Sequence, residues 1–243
     1  MKVIITHYSD ILGLTASLIM LQTQLELPEE IIVVDTSPEK TGLAIAKRYN
    51  YNLIPIKVVC ERVQIYKAWN AGIEVAGESD VLIINDDLVM PMDLIKRLNY
   101  VMEQSHAYCV VPQTVGREFN CPEINLEYKP FCEEVPAPIH FDWMPGFCFS
   151  LSKECIKDVG IFDVNFDIWF GDTDYENRIK LKAEENHKPA IVKERKAFVY
   201  HFGGKSQKYK DKQTLAKIAK DRSYYNKKYP ASNCDKHGTK RFV

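Results

Sequence analysis

Three runs of uninterrupted large apolar residues, Val3 to Ile5, Ile31 to Val34 and Val81 to Ile84, constrain this chain more than any other feature. None alternates with polar residues, so each reads as a strand covered on both faces. Helical periodicity fills the intervals. After a capping Ser9 or Asp10, Ile11, Leu14, Leu18 and Leu21 recur at helical spacing to about Leu25, and Pro28 stops the helix. A second helix is expected from Gly42 to Asn50. A third runs from about Arg62 to Ala76 with Val63, Tyr66, Trp69, Asn70 and Ile73 on one side. The strand between them, from about Leu53 to Val59, is less regular because Pro55 interrupts it. Strand and helix thus alternate from Val3 to Ile84, which predicts an α/β fold with a mostly parallel central sheet and helices on both faces.

In such a sheet, ligands bind beyond the carboxyl ends of the strands. Those ends are all polar here: Thr6-His7-Tyr8-Ser9, Asp35-Thr36-Ser37 and Asn85-Asp86-Asp87. Three polar ends on one rim favour a cleft over three independent turns. The third is the sharpest, because adjacent carboxylates repel. At the mouth of a buried strand they are tolerated when positive charge sits beside them, and a hard divalent cation with oxygen ligands is one candidate. The alternative is a strand-end turn in which Asn and Asp bond to local backbone groups. The chain has neither a Gly-x-Gly-x-x-Gly fingerprint nor a Gly-x-x-x-x-Gly-Lys-Ser/Thr loop. A phosphorylated ligand bound here therefore needs a metal to neutralise its charge.

Further along, Pro91 and Asp93 open a helix with Leu94, Ile95, Leu98, Val101 and Met102 inward, and Ala107 to Val111 is a further strand. Residues 116–142 lack periodicity and carry four prolines, as expected of a long loop over a site. Met144 to Leu151 returns to strand, with Gly146 permitting close backbone approach, and Lys153 to Val159 forms a short helix. Asp172 and Asp174 stand where another helix begins, and capping alone accounts for one of them. Arg178 lies one turn beyond Asp174 and can pair with it, which leaves Asp172 the freer group and the better general-base candidate. A helix-loop-helix calcium site is excluded, since Asn177 and Ala183 occupy the positions that need Gly and Glu. His201 ends an apolar strand at a Gly-Gly turn and is either a structural histidine or a metal-ligating imidazole. From Gln207 to Tyr229 the chain is helical, basic and tyrosine-rich. It reads either as an amphipathic helix docked through Leu215, Ile218 and Ala219, or as a basic surface for a polymeric anionic acceptor.

With 243 residues, 46% hydrophobic and 27% charged, the chain is an ordinary globular sequence, and a single domain spanning 1–243 is the simplest division. Its formal net charge of −1 does not recruit nucleic acid or anionic membrane through the overall field. No apolar stretch is long enough to span a bilayer, and Met1 to Thr6 does not resemble a signal peptide. Seven cysteines without a Cys-x-x-Cys pair, and no Asn-x-Ser/Thr sequon, point to free thiols in a reducing, cytoplasmic setting.

Taken in order, Val-Val-Asp35-Thr-Ser37, Trp-Asn70-Ala-Gly72-Ile, Ile-Ile-Asn85-Asp86-Asp87, Pro-Gly146-Phe, Phe-Gly171-Asp172-x-Asp174 with Arg178, and His201 resemble the GT-A glycosyltransferases of family 2. The Tyr224-Tyr-Asn-Lys-Lys-Tyr229 ending is similar to that of bacterial rhamnosyl- and galactosyltransferase-like members. Each motif is short; their order and spacing from Val3 to Tyr229 carry the resemblance. It implies a GT-A fold, with a nucleotide-binding half at 1–112, an acceptor and catalytic half at 113–206, and a basic helix and tail at 207–243.

The resemblance also implies roles. Asp35 binds the base of a nucleotide-sugar donor, with uracil expected, and Thr6 and Tyr8 line the same pocket. Ser37 and Asn70 belong to that donor set. In the Asp-x-Asp-type motif, Asp87 is the direct ligand of Mn²⁺ or Mg²⁺, Asp86 borders ribose and metal, and His201 is a further ligand. Asp172 corresponds to the base that deprotonates the acceptor hydroxyl, with Gly146, Trp169 and Asp174 on the acceptor side. Two positions depart from the common pattern: Asn85, where many members have Asp, and Gly171, where many have Glu. The expected activity is metal-dependent, inverting transfer from a UDP-sugar to a saccharide, lipid-linked glycan, protein or modified DNA base. Two rivals are a sugar-phosphate nucleotidyltransferase and a non-catalytic carbohydrate-binding module. The first needs a Gly-rich, basic loop after strand one, and Thr6 to Gly13 has no basic residue except His7. The second would use Trp69, Trp143 and Trp169 as sugar platforms.

Overall fold

The first apolar run sits where the pattern requires, with Val3, Ile4 and Ile5 all at 0% exposure in β1 (Lys2–His7). The computed structural model describes residues 1–49, 54–60, 64–116, 139–140, 143–202 and 212–230. β1 is followed by α1 (Ile11–Gln22), β2 (Ile31–Asp35), α2 (Thr41–Tyr49), β3 (Ile56–Cys60), α3 (Ile65–Ala76) and β4 (Val81–Asn85). β1 pairs in parallel with β2 on one side and β4 on the other, and β3 extends the parallel set beyond β2. Asp10 caps α1, its carboxylate accepting from the Gly13 N–H at 2.9 Å. Pro55 precedes β3 instead of breaking it, which is where a residue without an N–H is harmless to a ladder.

After β4 come β5 (Leu88–Val89), α4 (Leu94–Ser105), β6 (Cys109–Gly116), β7 (Ile139–His140), β8 (Cys148–Leu151), α5 (Lys153–Val159), α6 (Gly171–Glu185), β9 (Ile191–His201) and α7 (Lys212–Lys228). The sheet runs β3-β2-β1-β4-β8-β6-β9-β5, with β7 joined to β9. β8 is antiparallel to both β4 and β6, so the mostly parallel expectation holds for the first half and gives way to a mixed second half. The strand expected from Met144 begins only at Cys148. Pro145 has no N–H for a ladder, and its carbonyl instead accepts the Cys148 N–H at 3.2 Å, closing a turn. Apart from β7, the expected 116–142 excursion lies outside the described residues beyond Gly116, which ends β6.

Two apolar layers cover the sheet. One face packs Val3, Ile5, Val33, Leu82 and Ile84 against Leu14 and Leu18 of α1, Ile45 of α2 and Leu94 and Leu98 of α4. The other packs Ile4, Ile32, Val34 and Ile83 against Tyr66, Trp69 and Ile73 of α3, Cys155 of α5 and Tyr175 and Ile179 of α6. Alternate residues of one strand thus serve opposite layers, as strand geometry demands. Cys60, Cys109, Cys148 and Cys155 are free thiols.

α7 docks, but not through the expected stripe. Leu215 is 52% exposed and Ala219 is also exposed. The helix is instead held by Asp221, which is 0% exposed, and by Tyr224, Tyr225 and Lys228, which bond to Asp163, Asn177 and Asp174. A helix this polar is fixed by paired charges and phenols instead of by an apolar seam.

Candidate active site

The parallel register sets the polar strand ends side by side, pairing Thr6 with Asn85 and His7 with Asp35. The rim expected from the sequence is therefore present. Its centre is His7, a residue whose sequence neighbours suggest a polar loop but which is last in β1 and 0% exposed. Its Nδ1 lies 2.6 Å from Asp86 Oδ2, and its Nε2 lies 2.9 Å from Thr41 Oγ1. Thr41 Oγ1 is 3.1 Å from Ser37 Oγ, which donates to Asp35 Oδ1 at 2.5 Å. One buried chain thus connects Asp86 to Asp35. Its four links end on two acceptor-only carboxylates, whereas two hydroxyls and a neutral imidazole carry only three hydrogens. All four form together only when the Asp86–His7 pair holds one proton more. Burial pushes the Asp86 carboxyl above the usual range, and the bond and charge of His7 pull against that.

Asp35 is occupied by its own loop. Besides the Ser37 hydroxyl it accepts the Ser37 N–H at 3.0 Å and the Leu43 N–H at 2.9 Å, and it is 1% exposed. It fixes the 36–38 turn and the start of α2, and among the described residues its Oδ2 accepts the Leu43 N–H alone, with a second lone pair to spare. Tyr8, 51% exposed, and Thr6, whose hydroxyl donates to Asn85 Oδ1 at 3.4 Å, flank this rim.

Asp87 has a different partner. Leu88 pairs with His201 across β5 and β9, and the Phe202 N–H donates to the Asp87 carbonyl at 3.1 Å. This brings His201 Nε2 to 3.3 Å from Asp87 Oδ1. That oxygen is buried and makes no hydrogen bond. The His201 ring is held by stacking on Phe147, with centroids 4.0 Å apart and planes 13° from parallel. A buried, unbonded carboxylate oxygen facing an oriented imidazole is a donor set that fits Mn²⁺ or Mg²⁺. Among the described residues, no group of three or more His, Cys, Asp or Glu is arranged to hold a metal. A cation held by this pair takes the rest of its ligands from water or a substrate.

Asp172 opens α6, and its neighbour Phe170 takes the left-handed backbone conformation at φ 68°. Asp172 Oδ1 accepts the Thr173 N–H at 2.9 Å. Its Oδ2 lies where a Cβ on Gly146 would come to 2.4 Å, so the glycine is needed for this approach. Burial first, then the nearby Glu176 charge, push its carboxyl up to about 6 against the pull of the Thr173 N–H. The tripeptide Pro145-Gly146-Phe147 therefore touches both chemical clusters: Gly146 abuts Asp172, and Phe147 stacks on His201.

Other expected site residues are engaged elsewhere. Asn70 is bidentate to Phe162, its Nδ2 donating to the carbonyl at 2.9 Å and its Oδ1 accepting the N–H at 2.9 Å. Asp174 is 0% exposed and paired with Arg178, as the spacing predicts, but also with Lys228 at 2.6 Å and the Tyr229 hydroxyl at 2.9 Å. It braces α7 and does not line the rim. Trp169 donates its backbone N–H to Asp221 at 2.9 Å. Trp69 is 2% exposed and packs edge-on to Tyr66 and Phe162, so it is core and no sugar platform.

A strand-helix half closed by an antiparallel return, with a carboxylate pair at the rim, is the GT-A arrangement. The Glycosyl transferase family 2 model matches residues 3–170, more than half of the sequence, and the chain belongs to that family. GalNAc-T7 crystallised with UDP, GalNAc and Mn²⁺ superposes with a TM-score of 0.65 at 13% identity, covering 93% of this chain and 49% of that one. Residues 1–349 of S. aureus TarS in complex with UDP superpose at 0.61 and 18% identity, covering 96% and 73%. A longer S. aureus TarS structure gives 0.59 at 18%, covering 100% of this chain and 46% of that one. The chain thus spans about half the length of GalNAc-T7 and of the longer TarS structure. No curated protein matches by sequence.

His7→Phe removes both ring bonds and leaves the Asp86 carboxylate without its partner. A loss of about 3 kcal/mol of unfolding free energy is expected in urea titration, the cost of breaking a buried charged pair from one side. A loss below about 0.5 kcal/mol, as for a surface substitution, would show that the buried chain does not brace the rim.

Proposed function

We propose that the chain is a metal-dependent, inverting glycosyltransferase that moves a sugar from a UDP-linked donor to an acceptor hydroxyl. The observation that carries this reading is the Pro145–Phe147 segment, which puts a raised carboxylate on one side and a carboxylate–imidazole pair on the other. Residues 1–112 supply the donor half. Tyr8 offers its ring to the base, Thr6 and Ser37 border the pocket, and Asp35 holds the Ser37 turn and keeps one lone pair for a base N–H. Asp86, steadied by His7, borders the ribose. The UDP in the GalNAc-T7 and TarS complexes, and the Mn²⁺ in the former, support a UDP donor and a divalent ion.

Asp87 and His201 are the residues that would hold Mn²⁺ or Mg²⁺. When bound, the ion stabilises the negative charge that develops on the leaving diphosphate. The chain's own residues do the rest. Asp172 takes the proton of the acceptor hydroxyl as its oxygen bonds to the anomeric carbon, and the bond from that carbon to the diphosphate breaks. One displacement from the opposite face inverts the configuration. Gly146 keeps Asp172 Oδ2 clear for the acceptor. Residues 113–206 form the acceptor half. The free thiols fit a cytoplasmic reaction, and no helix among the described residues is long and apolar enough to cross a membrane.

Asp172→Asn should lower transfer on the order of 10²- to 10⁴-fold while sparing donor binding. In the unsubstituted protein, kcat/KM should fall on the acid side with a midpoint near pH 6, where the base of the free enzyme becomes protonated. The stability sign is opposite. A folded pKa raised above the unfolded value means that the ionised carboxylate destabilises the fold above about pH 6, and the penalty is relieved as pH falls toward 3.8. Asp172→Asn should therefore melt higher than the unsubstituted protein at pH 8. Wild-type turnover by this variant would remove Asp172 from the base role.

Asp87→Ala should abolish the gain in donor affinity on adding Mn²⁺. Because two side chains alone hold a hydrated cation weakly, titration calorimetry should show tight Mn²⁺ binding only with UDP present. Tight binding without nucleotide, or unchanged donor affinity in the variant, would contradict the ligand assignment.

A further inference from the structure

The segment before Asp172 is short, irregular and strongly held. Three consecutive backbone N–H groups, from Asp167, Ile168 and Trp169, converge on the carboxylate of Asp221 in α7 at 2.9, 2.8 and 2.9 Å. Asp221 is 0% exposed, and these three donors come from residues 52 to 54 positions away. The flanks of the same segment are pinned from α3. The Tyr66 hydroxyl donates to the Ile168 carbonyl at 2.9 Å and accepts the Gly171 N–H at 3.0 Å. A Cβ on Gly171 would meet the Tyr66 ring at 2.5 Å, so the chain passes this anchor without slack. Asp167 is itself tied down, to Lys220 at 2.6 Å and to the Gln64 amide. The segment then turns through the left-handed Phe170 directly into Asp172.

One carboxylate that accepts three successive amides does more than attach α7: it fixes the path of the 167–169 backbone. We propose that Asp221 is a positioning residue for catalysis: α7 clamps residues 167–171 so that Asp172 stands at the distance and angle its proton transfer requires. This rests on Asp172 being the base. The carboxylate orders three amides that face one way, and with Tyr66 it leaves the first turn of α6 a single place to start. Displacement of a catalytic group by about 1 Å costs on the order of 10²-fold in rate.

The test is a kinetic cycle on the full chain with UDP-sugar, Mn²⁺ and acceptor. Asp221→Asn keeps the shape but turns one acceptor oxygen into an NH₂ that confronts an amide N–H. It should lower kcat about 10²-fold with donor KM unchanged, and Asp221→Glu should recover part of the loss by restoring both acceptors. Added to Asp172→Asn, the Asp221→Asn change should cause no further loss, because residues acting through one group are not additive. If Asp221→Asn does not fold, as judged by circular dichroism, Tyr66→Phe takes its place in the same cycle, since it frees the segment's other anchor. A folded Asp221→Asn that turns over at the unsubstituted rate overturns the proposal, and so does a loss that multiplies with that of Asp172→Asn. Full activity in Asp172→Asn alone would instead overturn the base assignment, so the two failures are distinguishable.

Discussion

Two carboxylates on neighbouring residues at the end of a buried strand repel each other, and the structure resolves that repulsion by giving each its own imidazole. Asp86 turns toward His7 at the end of β1, and Asp87 turns toward His201 at the end of β9. The two solutions differ in kind. The Asp86–His7 contact is a short buried bond extended through Thr41 and Ser37 to Asp35, so that charge is spent on rigidity. The Asp87–His201 contact leaves a buried oxygen unbonded, so that charge remains for a ligand. A rim built this way is rigid at its Asp86 end and keeps an unbonded carboxylate oxygen at its Asp87 end.

The second half of the fold exists to complete this rim. β9 runs from the core to the site and delivers His201 across from Leu88, while β8, antiparallel to β4, begins directly after the Pro145–Phe147 turn. That turn then serves two masters, backing His201 with a ring and giving Asp172 room. The raised pKa of Asp172 comes from the same crowding. A carboxylate poised near 6 is a better base at neutral pH than an exposed one, and the stability it costs is offset by the braces around α6, namely Asp174 with Arg178 and Lys228.

Much of this was legible in the chain. The uninterrupted apolar runs predicted β1, β2 and β4, their parallel pairing followed from the helices between them, and the polar strand ends fell on one rim. The pairing of Asp174 with Arg178 followed from helical spacing alone. What was not legible depended on contacts between distant residues. His7 looked like part of a loop because nothing local shows that β1 continues two residues past Ile5, against Val34 and Asp35. Asn70 looked like a ligand-binding amide, yet it satisfies the Phe162 backbone. Leu215, Ile218 and Ala219 suggested an apolar docking face for α7, whereas a buried carboxylate and three phenols do the work, and hydrophobic periodicity is blind to those. Trp69, one of three tryptophans, is core because α3 lies against β1 with Gly72 pressed on Ile4.

The central claim is the division of labour between the two adjacent carboxylates, and its most direct test is crystallographic. Crystals grown with UDP and Mn²⁺ and measured near the manganese absorption edge should show one anomalous peak within coordination distance of both Asp87 and His201, with His7 still bonded to Asp86. A manganese peak on Asp86 with Asp87 turned away, or an imidazole of His201 pointing elsewhere while the nucleotide is bound, would contradict the account.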